Sequence, residues 1–251
     1  MERLRVHPMS ESRPYEGNLW GEPLNAANTV NWKTYWSNKI KRHLGESVVE
    51  IGAGLGSNVP YLLTPAQKEW LCLEPDAQLA AQIPHTLASN PLRDRVTFRS
   101  GFLQDLPAQP SFDTILYIDV LEHIEDDQRE MEESMARLRP GGKIIVLSPA
   151  FQTLYTEFDK NIGHYRRYNR KTLTACTPKG ARLVELFFLD SIGTLASLAN
   201  KWFLHQSSHT PGQAQFWDRY LVGTSILMDP LLGFNVGKSI IGIWVKDQES
   251  H

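Results

Sequence analysis

The chain has almost no means of covalent reinforcement, because only two of its 251 residues are cysteine, Cys72 and Cys176. Two scattered thiols without metal-type spacing make neither a disulfide framework nor a zinc knot, and a reducing cytoplasm is the expected compartment. Cys72 stands in Trp70-Leu71-Cys72-Leu73, where a buried structural thiol is expected. Charge of one sign is also missing. Lys and Arg number 26 and Asp and Glu 28, leaving a formal charge of −2. Without a broad basic field, nucleic acid is not an expected partner. The stretch from Met1 to Ser12 carries no apolar run of signal-peptide type. The most apolar region, 183–199, is interrupted by Glu185 and Asp190 and is too broken to span a membrane. There is no internal repeat and no low-complexity segment. What remains is an ordinary globular composition, 41% hydrophobic and 22% charged.

Residues 1–27 read as an irregular polar arm punctuated by Pro8, Pro14, Gly17, Gly21 and Pro23. A helical pattern then runs from Asn28 to His43, closed near Gly45. The β-branched run Ser47–Ile51 leads into a glycine-rich turn. Beyond it, helical and strand patterns alternate: a helix at 58–63, a strand at 69–73, a helix at 77–83 and strands at 96–99 and 114–118. A clear helix at 126–138 is then stopped by Pro140-Gly141-Gly142, and a fifth strand occupies 143–147. Such alternation predicts an α/β chain with a largely parallel sheet covered on both faces. Two further strands are expected at 182–189 and 239–245. Between them, 191–237 is rich in Trp202, Phe203, Phe216, Trp217 and Tyr220 and reads as a helical insertion over the sheet's end.

The strongest chemical signal is Glu50-Ile51-Gly52-Ala53-Gly54-Leu55-Gly56, between a strand and a helix. Glycines there let backbone approach a ligand. The dinucleotide pattern asks for a third glycine where Ser57 stands. An acid at Glu50 suits a positively charged ligand better than a pyrophosphate. A second acid, Glu74, ends the next strand in Leu73-Glu74-Pro75-Asp76, twenty residues after Gly54, where a carboxylate can accept from both hydroxyls of a ribose.

With these motifs the chain resembles the class I S-adenosylmethionine (SAM)-dependent methyltransferases, and more narrowly their ubiquinone-biosynthesis-like (type 11/12) branch. Phe112-Asp113-Thr114-Ile115-Leu116-Tyr117-Ile118-Asp119-Val120-Leu121-Glu122-His123-Ile124 and Leu138-Arg139-Pro140-Gly141-Gly142 complete the likeness over about 28–149. Phe158-Asp159 and Gly163-His164-Tyr165-Arg166-Arg167-Tyr168 resemble a subgroup often linked to bacterial glycan, polyprenyl or secondary-metabolite pathways. The resemblance implies a Rossmann-like, seven-stranded, mostly parallel sheet with helices on both faces and the aromatic-rich helical insertion before the last strand. It implies one methyltransferase domain over 1–251, comprising an arm at 1–27, a cofactor-binding core at 28–190, an insertion at 191–237 and a last strand at 238–246. It further implies that Gly52, Ala53 and Gly54 cradle the methionine part of SAM, with Glu50 orienting it, and that Glu74 and Pro75 lie at the ribose. Phe102 and Leu103 stand where related chains often carry an acid near the adenine, so apolar packing is expected there, with Asp105 a weaker candidate. Asp119 falls where cofactor and acceptor meet.

Two histidines are candidates for the base that accepts an acceptor's proton, His164 and His123. A structural role, as a helix cap for His123 and a loop tie for His164, competes with each. Tyr165, Arg166 and Arg167 are candidates for binding the acceptor, since guanidinium matches carboxylate or phosphate bidentately. Tyr15 and Trp20, in the arm, are placed to close over the cofactor or merely to pack on the surface. No Asp/His cluster with ligand spacing stands out, so metal-independent direct displacement is expected. The expected acceptor is a hydroxyl of a small or lipid-linked molecule, with N- or C-methylation of a secondary metabolite as the alternative. A homodimer stays open. Two other readings stand beside this one: a non-catalytic SAM-binding scaffold subunit, and an NAD(P)-dependent oxidoreductase. Against the oxidoreductase stand Glu50, the missing third glycine and Asn169, which occupies the position four after Tyr165 where a lysine would be needed.

Overall fold

In the computed structural model the described residues are 29–199 and 211–248. The expected roles of the arm, Tyr15, Trp20, Trp202 and Phe203 fall outside them. Seven strands form one sheet: β1 Ser47–Ile51, β2 Glu69–Glu74, β3 Val96–Ser100, β4 Phe112–Ile118, β5 Leu138–Pro149, β6 Ala181–Leu189 and β7 Ser239–Lys246. Their order is β3-β2-β1-β4-β5-β7-β6. The first five are parallel, and β7 lies antiparallel between β5 and β6. The helices are α1 Val30–Ile40, α2 Val59–Leu62, α3 Ala77–Ala80, α4 Ile83–Thr86, α5 Asp127–Arg137, α6 Glu157–Asn161 and α7 Arg170–Ala175. They continue with α8 Ser191–Ala199, α9 Pro211–Phe216 and α10 Val222–Leu231.

Neighbouring residues of each central strand serve opposite cores, as period-two geometry demands. Val48, Leu116, Ile145 and Ile241 face Trp36 and Ile40 of α1. Val49, Ile115, Ile144 and Ile240 face Met131 and Leu173, from α5 and α7. Because both faces are covered, the strands read as unbroken apolar runs rather than alternating ones.

Two local expectations are corrected. The helix expected at 77–83 is two short helices, with Pro84 in the first turn of α4, where its missing N–H costs nothing. The Pro140-Gly141-Gly142 turn does not separate α5 from the fifth strand. Pairing already begins at Leu138 opposite Phe112, and a register irregularity between Phe112 and Thr114 absorbs the turn. Of the insertion expected at 191–237, residues 191–199 and 211–231 are helical. Between α9 and α10 the helix widens into a π-turn, Trp217–Leu221. That turn directs Asp218 at the start of α1, where its carboxylate accepts from the N–H groups of Asn31 (3.1 Å) and Trp32 (2.8 Å). Trp217 meanwhile donates to buried Asp190 at 2.7 Å. Asp229 accepts from the backbone of Asp190 and Ser191 and from the Tyr35 hydroxyl. Three buried acids thus knit the helical layer to the sheet and to α1.

Candidate active site

The strand order reverses between β1 and β4, and the crevice beyond the carboxyl ends of these strands is where open α/β sheets bind ligands. A cavity of about 770 Å³ occupies that place. One side is the turn after β1. Gly52 has φ 64°, and a Cβ there would stand 2.6 Å from Val120 Cγ2, so only glycine fits. Glu74, ending β2, braces the same turn: its Oε2 accepts from Gly54 N–H (2.8 Å) and its Oε1 from Asp76 N–H (2.9 Å). Each oxygen keeps a lone pair toward the cavity, which Glu74 lines.

Of the expected cofactor residues, Gly52, Ala53, Gly54, Glu74, Pro75, Phe102, Leu103 and Asp119 line the cavity. Glu50 does not. It lies beneath the turn, 1% exposed, with Oε1 taking a hydrogen bond from Asn58 (2.9 Å) and Oε2 left without a partner. Burial lifts its carboxyl to about 7, against the pull of Asn58 and Lys33. Asp105 turns away from the cavity and accepts from Phe102 N–H at 2.8 Å. Asp119 sits at φ 55°, a strained conformation for a residue with a side chain, and opens onto the cavity. The surrounding protein pushes its carboxyl up to about 6, with His164, Lys238, Lys33 and Arg167 pulling it down.

The opposite wall comes from the turn after β4 and the loop after α6. His123 and His164 both line it, ring centroids 4.5 Å apart. His164 Nδ1 lies 2.9 Å from Asp159 Oδ1, and Arg167 grips the same carboxylate through Nε (2.7 Å) and Nη2 (2.9 Å). These bonds hold the Asp159 carboxyl far down in spite of burial. Burial, and then His164, depress His123 to about 3. Glu122, fully buried, receives the Ser148 hydroxyl on Oε2 (2.9 Å), while Oε1 has no partner. Its carboxyl is pushed well up by burial and then by Asp119.

The trio Tyr165, Arg166 and Arg167 is divided. Arg167 lines the cavity, with Nη1 buried and unpartnered. Tyr165 and Arg166 do not line it. Arg166 is committed to Asp127 Oδ2 and the Glu125 carbonyl, each at 2.6 Å, so the geometry gives it a structural tie instead of an acceptor contact. Sequence spacing shows no ligand cluster, but in three dimensions three donors come together. Glu122, His123 and His164 each present a donor atom within 4.8 Å of the others, although His164 is 41 residues beyond His123.

A family model described as "Methyltransferase domain" matches residues 49–144, the span from the glycine turn to the fifth strand. A Mycolicibacterium smegmatis protein described as "Probable S-adenosylmethionine-dependent methyltransferase" is 29% identical over 72% of this chain and 70% of its own length. The ubiquinone biosynthesis O-methyltransferase of Xanthomonas euvesicatoria is 31% identical over 50% of this chain, and the match spans only about half (51%) of that relative. Among solved structures, an N-methyltransferase of Bradyrhizobium japonicum in complex with S-adenosyl-L-homocysteine superposes with a TM-score of 0.56. It does so at 11% identity, over 89% of this chain and 90% of its own, a likeness of fold. Residues 49–144 thus carry a methyltransferase domain, in a chain folded like the class I SAM-dependent methyltransferases.

The methyltransferase has a cavity whose groups fit SAM. The glycine turn leaves no room for a Cβ, the Glu74 oxygens have lone pairs free, and Glu50 lies buried beneath the turn with Oε2 unpartnered. Lys33, which sequence reasoning passed over, lines the cavity from α1 with Nζ 2.6 Å from Ser57 Oγ. Lys238, at the start of β7, also lines it and stands 4.8 Å from the Trp217 ring. Lys33 sits in no motif, so only the fold reveals it. Among the described residues, no helix of the methyltransferase is long and apolar enough to cross a membrane.

Proposed function

We propose that the enzyme O-methylates a small or lipid-linked molecule through its hydroxyl. The observation that carries this reading is the Asp159–His164 pair. Asp159 fixes Nδ1 of the ring, so Nε2 is the atom left to take a proton, and it does so on the wall facing the glycine cradle. A neutral amine acceptor would need no such group. His123 is the weaker candidate, since burial and His164 depress it to about 3.

When bound, SAM supplies a methyl group already activated on a sulfonium, open to in-line displacement by the acceptor. The chain's residues then position. Gly52, Ala53 and Gly54 admit the methionyl part, and Lys33 takes its carboxylate. Glu74 accepts from the ribose hydroxyls while bracing the turn, with Pro75 beside it. Phe102 and Leu103 pack on the adenine. Asp119 stands between cofactor and acceptor, and Arg167 Nη1 offers a donor to the acceptor. A cavity of about 770 Å³ lies within the range of drug-sized sites, and with SAM inside, the remaining volume suits the reacting end of a compact acceptor. The single-domain division, with a core at 28–190 and an insertion at 191–237, belongs to the same proposal, because the insertion's Trp217 closes the cavity.

Calorimetry with SAM, and with a nicotinamide cofactor as control, tests the reading. Glu74→Gln sets an amide N–H₂ against a backbone N–H and weakens SAM binding by about 1–3 kcal/mol. A screen with methyl-labelled SAM then pits hydroxyl acceptors against amines. Preference for the nicotinamide cofactor, or label passing to amines while hydroxyls stay untouched, would sink the proposal.

A further inference from the structure

The cavity wall that carries His164 holds more donors than a single base requires. His164 Nδ1 is engaged by Asp159, and a ring N–H of His123 donates to the Gly163 carbonyl. His164 is thus anchored through Nδ1 with Nε2 toward Glu122, and a ring nitrogen of His123 lies within 4.8 Å of both. Such anchoring is how metal-binding histidines are held, with an outer carboxylate or carbonyl fixing tautomer and ring. The outer carboxylate is itself clamped twice by Arg167 and accepts the Thr156 N–H at 2.8 Å. Glu122 adds the third donor. Its Oε1 is buried and unpartnered, 3.8 Å from His164 Nε2, too far for a hydrogen bond. As an anion such an unpartnered buried oxygen is costly, and a cation beside it would remove that cost.

We propose that Glu122, His123 and His164 bind one divalent transition-metal ion of the zinc class, with its open positions facing the cavity. Two imidazoles and one carboxylate on one side of an ion leave room for water or substrate. Magnesium and calcium prefer oxygen ligands and are poorly served by two imidazoles. Donors bonded at about 2.1 Å to one ion lie roughly 3–3.5 Å apart. Separations of up to 4.8 Å here must therefore close by about 1.5 Å, within reach of side-chain rotation.

This inference rests on reading the wall as the one that activates a hydroxyl, and it changes the agent. A hydroxyl on the ion has its O–H bond polarised. The electron pair stays on oxygen, and the proton passes to Asp119 or to water. His164 then serves as a ligand, and the methyl transfer proceeds as above.

The test uses the full chain after chelator treatment. Zinc titrated by calorimetry, and cobalt followed by visible absorption, should show one ion per chain with nitrogen-ligand bands. His164→Ala and Glu122→Gln should each weaken binding at least tenfold, whereas exposed His85→Ala leaves it unchanged. SAM binding, measured on the same metal-free proteins, reports that each variant is folded. If no stoichiometric ion binds, or if the two variants bind it as tightly as wild type, the metal site is overturned, and metal-free His164 remains the proton acceptor. Loss of SAM binding in the metal-free wild type would instead strike at the functional proposal itself.

Discussion

Glu50 shows how much a single buried carboxylate can constrain a cofactor site. Burial raises it from an ordinary value near 4.5 to about 7, a difference worth on the order of 3 kcal/mol. Between those pH values the folded chain keeps a proton that the unfolded chain has lost. The stability of the ligand-free protein therefore declines as pH rises from about 4.5 to about 7, and the cost is complete above that. A positively charged ligand over the turn favours the ionised form, so SAM binding and Glu50 ionisation assist one another. SAM affinity is accordingly expected to rise between pH 5.5 and about 7.5, by up to about tenfold for each pH unit through which the ligand lowers this carboxyl. Glu50→Gln should flatten that dependence, and its ligand-free form should lose less stability over the same range. The amine of SAM titrates identically for both proteins, so the difference between their calorimetric pH profiles isolates Glu50. Parallel profiles would show that the residue is only structural.

Among the elements, α1 and the π-turn depend on each other. No side chain of its own caps α1, and the first-turn amides of Asn31 and Trp32 are satisfied from 186 residues away or more by Asp218. Asp218→Ala removes that remote cap. The expected loss is about 1–2 kcal/mol, or a Tm lower by about 2–8 °C for a chain of this size, with weaker SAM binding because α1 carries Lys33 to the cavity. Calorimetric scans of Asp218→Ala and Asp218→Asn check this, the asparagine keeping one acceptor and falling between; an unchanged Tm would refute the capping role. The pairing also marks what could be read from the chain. Strands buried on both faces declare themselves as β-branched runs, and the glycine turn and Glu74 are adjacent to such strands, so the sheet and most of the cofactor cradle were legible. The rest was not, because the residues lie far apart in sequence. Lys33, Trp217 and Lys238 meet in one cavity from three distant elements. Glu122 and His164 become neighbours only when the loop after α6 folds back. Arg166 and Arg167 are indistinguishable as letters, and their difference arises from which side of that loop each faces.

For the molecule as a whole, the last strand governs closure. β7 pairs with β5 from Ser239 to Val245 and with β6 from Ser239 to Lys246, so it fills the sheet between two strands made earlier. Ile240, Ile241, Ile243 and Trp244 are all fully buried. At about 1.5–3 kcal/mol for each such side chain, their burial contributes about 6–12 kcal/mol, comparable with the entire net stability of a typical domain, about 5–15 kcal/mol. Without β7 the edges of β5 and β6 would also lie open, ready to pair with other chains. A chain ending at Gly237 is therefore expected to show no cooperative unfolding transition and to aggregate, even though it retains the glycine turn, Glu74 and the two histidines. Near-ultraviolet circular dichroism, thermal scans and size-exclusion chromatography of that truncation decide the matter. A folded, monomeric product that still binds SAM would mean that the chain before β7 is an independent domain, and the single-domain division proposed for this methyltransferase would fall.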